Sequence, residues 1–139
     1  MFHKLLLAGV LICGCVSAEA QKPGVEGVWK AVTYDISGVA HPMSGLFIFS
    51  RHYYSANIRF QLAPGPNDDS NGNAGPYKTI GTEIVFDQWV QVHVRPEDAK
   101  QPILSHAGEP EHSKFSINGN TLILSFPSGN RFVLERLPG

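Results

Sequence analysis

Within residues 45–60 an apolar run, Leu46, Phe47, Ile48 and Phe49, is followed after a polar break by strict alternation: Tyr54, Ala56, Ile58 and Phe60 against Ser55, Asn57 and Arg59. A period of two marks a strand with one buried face, and two such segments around a short break predict a β-hairpin. A one-residue slip would send every apolar side chain of the second strand to solvent, so its register is well specified. Upstream, Gly27-Val28-Trp29-Lys30-Ala31-Val32-Thr33-Tyr34 predicts a first strand ending at Asp35 and the Ser37-Gly38 break. His41-Pro42-Met43-Ser44 reads as a loop, because proline cannot donate to a ladder.

The pattern lapses between 62 and 75, where Pro, Gly, Asn, Asp and Ser dominate, and this stretch reads as an exposed connecting loop too poor in apolar side chains to pack as a lid. Residues 76–80 predict a short strand, Gly81-Thr82 a turn, and residues 83–95 a longer β pattern with a kink at Asp87-Gln88. Past the kink, Trp89, Gln91, His93 and Arg95 share one face, and Val90, Val92 and Val94 share the other; the valines are expected to face the core. Residues 96–112 read as a second loop, with one helical turn over 97–100 after Pro96. At the C-terminus, Lys114-Phe115-Ser116-Ile117 faces Thr121-Leu122-Ile123-Leu124-Ser125-Phe126 across Asn118-Gly119-Asn120. Ser128-Gly129-Asn130 then returns the chain into residues 131–137, which makes a three-stranded meander.

About eight short antiparallel strands, without a long helix or an internal repeat, predict an all-β fold: a single up-and-down antiparallel β-barrel, closed so that no sheet edge is left bare. An eight-stranded barrel has an interior that is either filled by side chains or holds one small ligand. Length agrees, since 139 residues give one domain with a core and too little chain for two. Charged residues make up 17% of the chain and the net charge is -1, with no Lys or Arg run, which argues against a nucleic-acid partner.

The first 20 residues have the make-up of a secretory signal: Lys4 in a short positive start, an apolar run from Leu5 to Gly14, and Ala18-Glu19-Ala20 before Gln21. A membrane span needs about 20 apolar residues, roughly twice what is present. The expected division is a signal peptide over 1–20, a linker over 21–26 and the barrel domain over 27–139. Cleavage after Ala20 would remove Cys13 and Cys15, leaving no disulfide and no thiol nucleophile. A second reading takes Ile12-Cys13-Gly14-Cys15 as similar to a lipoprotein processing box, with Cys15 lipidated and the domain tethered to a membrane. The expected location is therefore secreted or periplasmic, and membrane-bound only through a lipid on Cys15.

Two stretches taken together, Gly27-x-Trp29-Lys30 at the first strand and Gly45-Leu46-Phe47-Ile48-Phe49-Ser50 running into Tyr53-Tyr54-Ser55, resemble the lipocalin-like domain family of small secreted proteins. Phe132-Val133-Leu134-Glu135-Arg136-Leu137 resembles that family's last strand. The resemblance implies a barrel with a central cavity and binding of small apolar molecules; it brings no catalytic residues, and the Thr-Asp-Tyr motif of classical lipocalins is missing. It also implies that Trp29 closes one end of the barrel, with Arg136 or Arg131 lying over it as a structural cation–π contact.

The candidate ligand-binding residues are Phe47, Phe49, Tyr53, Arg59, Trp89, His93 and Arg95. Tyr53, Asn57, Arg59, Trp89, His93 and Arg95 fall either on the wet outer face, as strict alternation has it, or in a partly polar lumen, where Arg59, His93 and Arg95 would orient a carboxylate or hydroxyl. Phe47, Phe49, Ile58, Val92, Ile123 and Val133 would supply an apolar wall. Residues 106–112, with His106, Glu109, Glu111 and His112, match no zinc spacing and read as a solvated loop, so neither a metal nor a cofactor is expected. No nucleophile elbow, metalloprotease helix, phosphate loop or dinucleotide motif is present. The reading is of a barrel that binds a small, mostly apolar molecule without transforming it. One alternative is a lumen isomerase or cyclase using His93 or Tyr53. The other is a filled barrel that binds a protein through the 62–75 and 96–112 loops.

Overall fold

The computed structural model describes residues 24–62, 69–94, 103–105 and 108–139. It is all-β: β1 Gly27–Ile36, β2 Val39–Phe49, β3 Tyr53–Phe60, β4 Asp69–Ile80, β5 Glu83–Phe86, β6 Val90–Val94, β7 Ile103–Ser105, β8 Glu111–Asn118, β9 Thr121–Ser125 and β10 Arg131–Arg136. Neighbours pair antiparallel in the ring β1-β2-β3-β4-β5-β8-β9-β10, and β10 returns to β1 with Arg136 opposite Trp29. The sheet is thus a closed eight-stranded barrel. β6 continues β5 along the edge of β4 and carries β7 outside the ring.

The inward face follows from β3. Tyr54, Ala56, Ile58 and Phe60 are all buried, as their alternation predicts. Paired residues point to the same side of a sheet, so this phase passes outward strand by strand. From β3 it reaches Phe47 and Phe49 on β2, and then Trp29 on β1. In the other direction it reaches Asn71, Asn73 and Gly75 on β4. Leu122, Leu124 and Leu134 complete the core from β9 and β10, each at most 1% exposed.

Two loops of the sequence reading are strands here. Pro42 lies within β2, opposite Thr33 beside an irregularity in the β1–β2 register. Its carbonyl accepts a bond from Gln61 N at 3.2 Å, so the absent N–H faces the point where β3 has just ended and costs little ladder. Residues 69–76, Asp-Ser-Asn-Gly-Asn-Ala-Gly-Pro, form the first half of β4 despite their turn-like composition. Strand β3 pairs with one edge of that half and β6 with the other, and this tertiary pairing outweighs weak local preference. Residues 103–105 likewise join the sheet as β7, and Glu111 and His112 open β8. Residues 1–23, 63–68, 95–102 and 106–107, and the expectations placed on them, lie outside the described residues.

The kink at Asp87-Gln88 is where β4 changes partner. Asp87 N bonds to Pro76 O at 2.9 Å and Trp89 N to Ala74 O at 3.0 Å, so the corner straddles Gly75. A Cβ on Gly75 would sit 1.8 Å from the Asp87 carbonyl oxygen; only glycine lets the two backbones meet.

The base of the barrel is closed around Trp29, which is wholly buried. Its Nε1 donates to Val25 O at 2.7 Å, and the Arg136 guanidinium lies 4.0 Å from its ring centre. Arg136 Nη1 and Nη2 donate to Glu26 O at 2.7 Å and Gly24 O at 2.8 Å, strapping residues 24–26 across the end. Gly27 makes this turn with φ at +130°, and a Cβ there would come within 2.9 Å of Arg136 Nη1. Arg131 is engaged elsewhere, donating to Asp35 Oδ2 at 2.9 Å.

Candidate functional site

Away from Trp29 the lumen opens into a cavity of about 390 Å³, within the range usual for small-molecule sites. Its walls differ in chemistry according to the strands that build them. Tyr34 of β1, Phe47 of β2, Phe60 of β3, Leu124 of β9, Phe132 of β10 and the following-turn neighbour Phe126 make an apolar, largely aromatic side. These rings hold one another edge to face: Tyr34 with Phe132 and Phe126 with Phe132, both at 4.8 Å between centres.

Asn71 and Asn73 of β4, Gln88 and Gln91 around the β5–β6 corner, and Glu111 of β8 make the facing polar side. Tyr54 stands at the junction, 4.7 Å from Phe86 between ring centres and only 5% exposed. Its hydroxyl, Asn71 Oδ1 and Asn73 Oδ1 are buried without a hydrogen-bond partner. Gln88 Nε2 donates to Glu111 Oε2 at 3.2 Å. Burial pushes the Glu111 carboxyl above its ordinary pKa, and the bond from Gln88 pulls it partly back. The Tyr54 hydroxyl is also shifted up, first by burial and then by the negative potentials of Glu111 and Asp87.

No family model matches this chain, and no curated protein or solved structure compared with it is significantly similar. The barrel is compatible with a lipocalin-like fold, and the family resemblance rests on the sequence stretches alone.

Of the residues singled out from the sequence, Phe47 and Ile58 line the cavity. Phe49 is buried 6.2 Å from Phe47 between ring centres, in an aromatic cluster with Tyr77 and Phe86; of this cluster Phe86 lines the cavity, and Phe49 and Tyr77 do not. Tyr53, Arg59 and Trp89 lie on the outer surface instead. Tyr54 takes the inward place in the β3 alternation, which turns Tyr53 out; Arg59 pairs with Ser44 and Ser70 on the same outer face. Trp89 sits at the corner before β6 with its ring tilted at 57° to that of Tyr53, 5.6 Å away between centres, and both are more than half exposed. Arg95 lies outside the described residues.

His93 does face inward, paired with Asn71, but it is not part of the cavity wall. Its Nε2 is buried without a hydrogen bond, 3.9 Å from Asp69 Oδ2. This reverses the expected parity of β6: Val90, Val92 and Val94 pair with Ala74, Gly72 and Ser70, and line a hollow on the outside of the sheet. Ile123 and Val133 alternate with buried Leu122, Leu124 and Leu134, so they too face outward, as Val92 does.

The sequence reading missed Asn71, Asn73, Gln88 and Glu111 because each sits in a stretch that looks like loop. Glu111 is followed by His112, whose Nδ1 turns outward to within 2.5 Å of Glu83 Oε1, so strand alternation parts these two donor groups. Among the described residues no group of three or more His, Cys, Asp or Glu side chains could hold a metal ion.

Proposed function

We propose that this protein binds a small, mostly apolar molecule in the lumen of its barrel without transforming it, and does so outside the cytoplasm after export directed by residues 1–20. The observation that carries the reading is the two-sided cavity: an aromatic wall facing a polar wall that holds buried, unpartnered hydrogen-bonding atoms. Apolar area supplies affinity in such a site, and a few fixed polar groups set orientation. The isomerase or cyclase alternative rests on Tyr53 and His93; Tyr53 is on the outer surface, and His93, though inward beside Asn71, does not line the cavity. A barrel filled by its own side chains is at odds with a space of about 390 Å³.

The test is titration with Prodan, a small neutral naphthalene dye whose emission shifts to the blue in apolar surroundings. Saturable, blue-shifted emission at one dye per chain is expected, and Ala56→Phe, which fills the lumen from β3, should weaken it at least tenfold. Unshifted emission, or a shift that survives Ala56→Phe unchanged, would overturn the proposal.

A further inference from the structure

The polar wall of the cavity, among the described residues, carries charge of one sign. Among the described residues lining it, Glu111 is the one charged side chain, and neither Lys nor Arg contributes. Arg59, the nearest cation that the β3 alternation offers, belongs to the outer face. The unpaired atoms on or beside this wall are the acceptor oxygens of Asn71 and Asn73, the hydroxyl of Tyr54, a side chain more than nine-tenths buried, and Nε2 of His93, which pairs with Asn71 and lies 3.9 Å from Asp69 Oδ2.

This set discriminates between ligand head groups. A carboxylate would place a second negative charge near Glu111 in a poorly solvated space, where like charges repel strongly. A hydroxyl brings one donor and leaves other acceptors unpaired. An ammonium carries three N–H donors on one atom and no acceptor, which matches a wall made of a carboxyl group and two amide oxygens. Across the cavity, Tyr34, Phe126 and Phe132 line an aromatic side for the apolar body of the ligand.

Building on the lumen-binding reading, we propose that the ligand is a small amphipathic amine, its ammonium held by Glu111 with Asn71 and Asn73 and its apolar body against the aromatic wall. A ligand carboxylate, which an inward Arg59 would have oriented, is disfavoured. A salt bridge in a dry site is costly unless further hydrogen bonds complete both ions. Here Gln88 already donates to the carboxylate, and the two asparagines are free to accept from the ammonium.

Three probes that share one skeleton test this: phenylbutylamine, phenylbutanol and phenylbutyrate, titrated calorimetrically into the folded protein. The amine should bind about tenfold more tightly than the alcohol, the margin of a charge-assisted over a neutral hydrogen bond, and the acid more weakly than either. In Glu111→Gln, a near-isosteric change, the amine-to-alcohol ratio should collapse to about one.

A second readout needs no variant. Amine affinity should fall as pH is lowered through the carboxylate range and Glu111 takes up a proton, and the alcohol should show a much flatter profile. The other titratable groups on this side are Tyr54, Asp69, Asp87 and His93. Loss of the pH response in Glu111→Gln assigns it to Glu111 rather than to them. Equal amine and alcohol affinities, tighter binding of the acid, or a ratio that survives Glu111→Gln would each overturn the amine assignment while leaving the lumen reading intact. Failure of all three probes together with Prodan would overturn both.

Discussion

At the base of the barrel, Trp29 Nε1 and both terminal nitrogens of Arg136 donate to the carbonyls of Val25, Glu26 and Gly24, whereas around the cavity Tyr54, Asn71 and Asn73 keep buried polar atoms unpaired. Both regions belong to one continuous sheet, and both bury aromatic rings. A buried polar atom without a partner costs about 1–3 kcal/mol, a large share of the roughly 5–15 kcal/mol that holds a domain together. The base pairs its polar groups with its own backbone and is thereby closed. The cavity leaves the same kinds of groups unpaired, and on the proposed function they serve a molecule that enters.

The sharpest way to break this contrast is at the base. Trp29→Ala removes the largest buried side chain of the core, with its Nε1 bond and the surface under Arg136. It should destabilise the fold by about 3–5 kcal/mol, read from the midpoint of urea unfolding at constant m-value. A loss under about 1 kcal/mol would mean that residues 24–26 and Arg136 close the barrel without the indole, and the base would no longer be the stabilising end.

The same contrast explains what the sequence disclosed. The base and the apolar side of the lumen were legible because their residues are apolar or aromatic and in phase: Trp29, Phe47, Tyr54, Ala56, Ile58, Leu122 and Leu124 all stand where a period of two places them. The polar wall was not. Asn71, Gly72 and Asn73 have the composition of a turn, and become a strand only because β3 and β6 claim both edges. The phase of β6 was misread for a related reason. Val90, Val92 and Val94 are the apolar set, but the register inherited through β4 turns Gln91 and His93 inward and leaves the valines on an outer hollow. Where a lumen is lined by polar groups, hydrophobicity assigns the faces backwards. Glu111 was hidden by its neighbours, since Glu109, Pro110 and His112 look solvated, and only the pairing of Glu111 with Phe86 turns it toward the cavity.

A smaller change sharpens the contrast from the cavity side. Tyr54→Phe deletes the unpaired hydroxyl and keeps the ring that packs on Phe86. The unliganded protein should become more stable by about 1 kcal/mol, the penalty relieved when a lone buried hydroxyl is removed. Phenylbutanol binding should weaken severalfold at the same time. Stability and affinity moving in opposite directions is what a binding group held in reserve produces; a Tyr54→Phe protein that loses stability would show the hydroxyl to be structural, like Trp29 Nε1.

The smallest effect is carried by a single proton. Burial holds the Glu111 carboxyl above its ordinary range in the folded chain, with the Gln88 bond opposing in part, whereas in the unfolded chain it titrates normally. The folded state therefore keeps this proton at pH values where the unfolded state has released it. By linkage, the contribution to stability is fully present below the unfolded pKa and is lost as pH rises through the window up to the raised folded pKa. Glu111→Gln has no proton to lose in that window. Its urea midpoint, compared with that of the parent at each pH, should gain steadily as pH climbs from the acid side toward neutrality, and the gain should level off once the parent's carboxylate is fully ionised. A parent and variant whose midpoints stay parallel across the whole range would place Glu111 in water rather than against a dry wall, and an ammonium would then find no more attraction there than at any exposed glutamate.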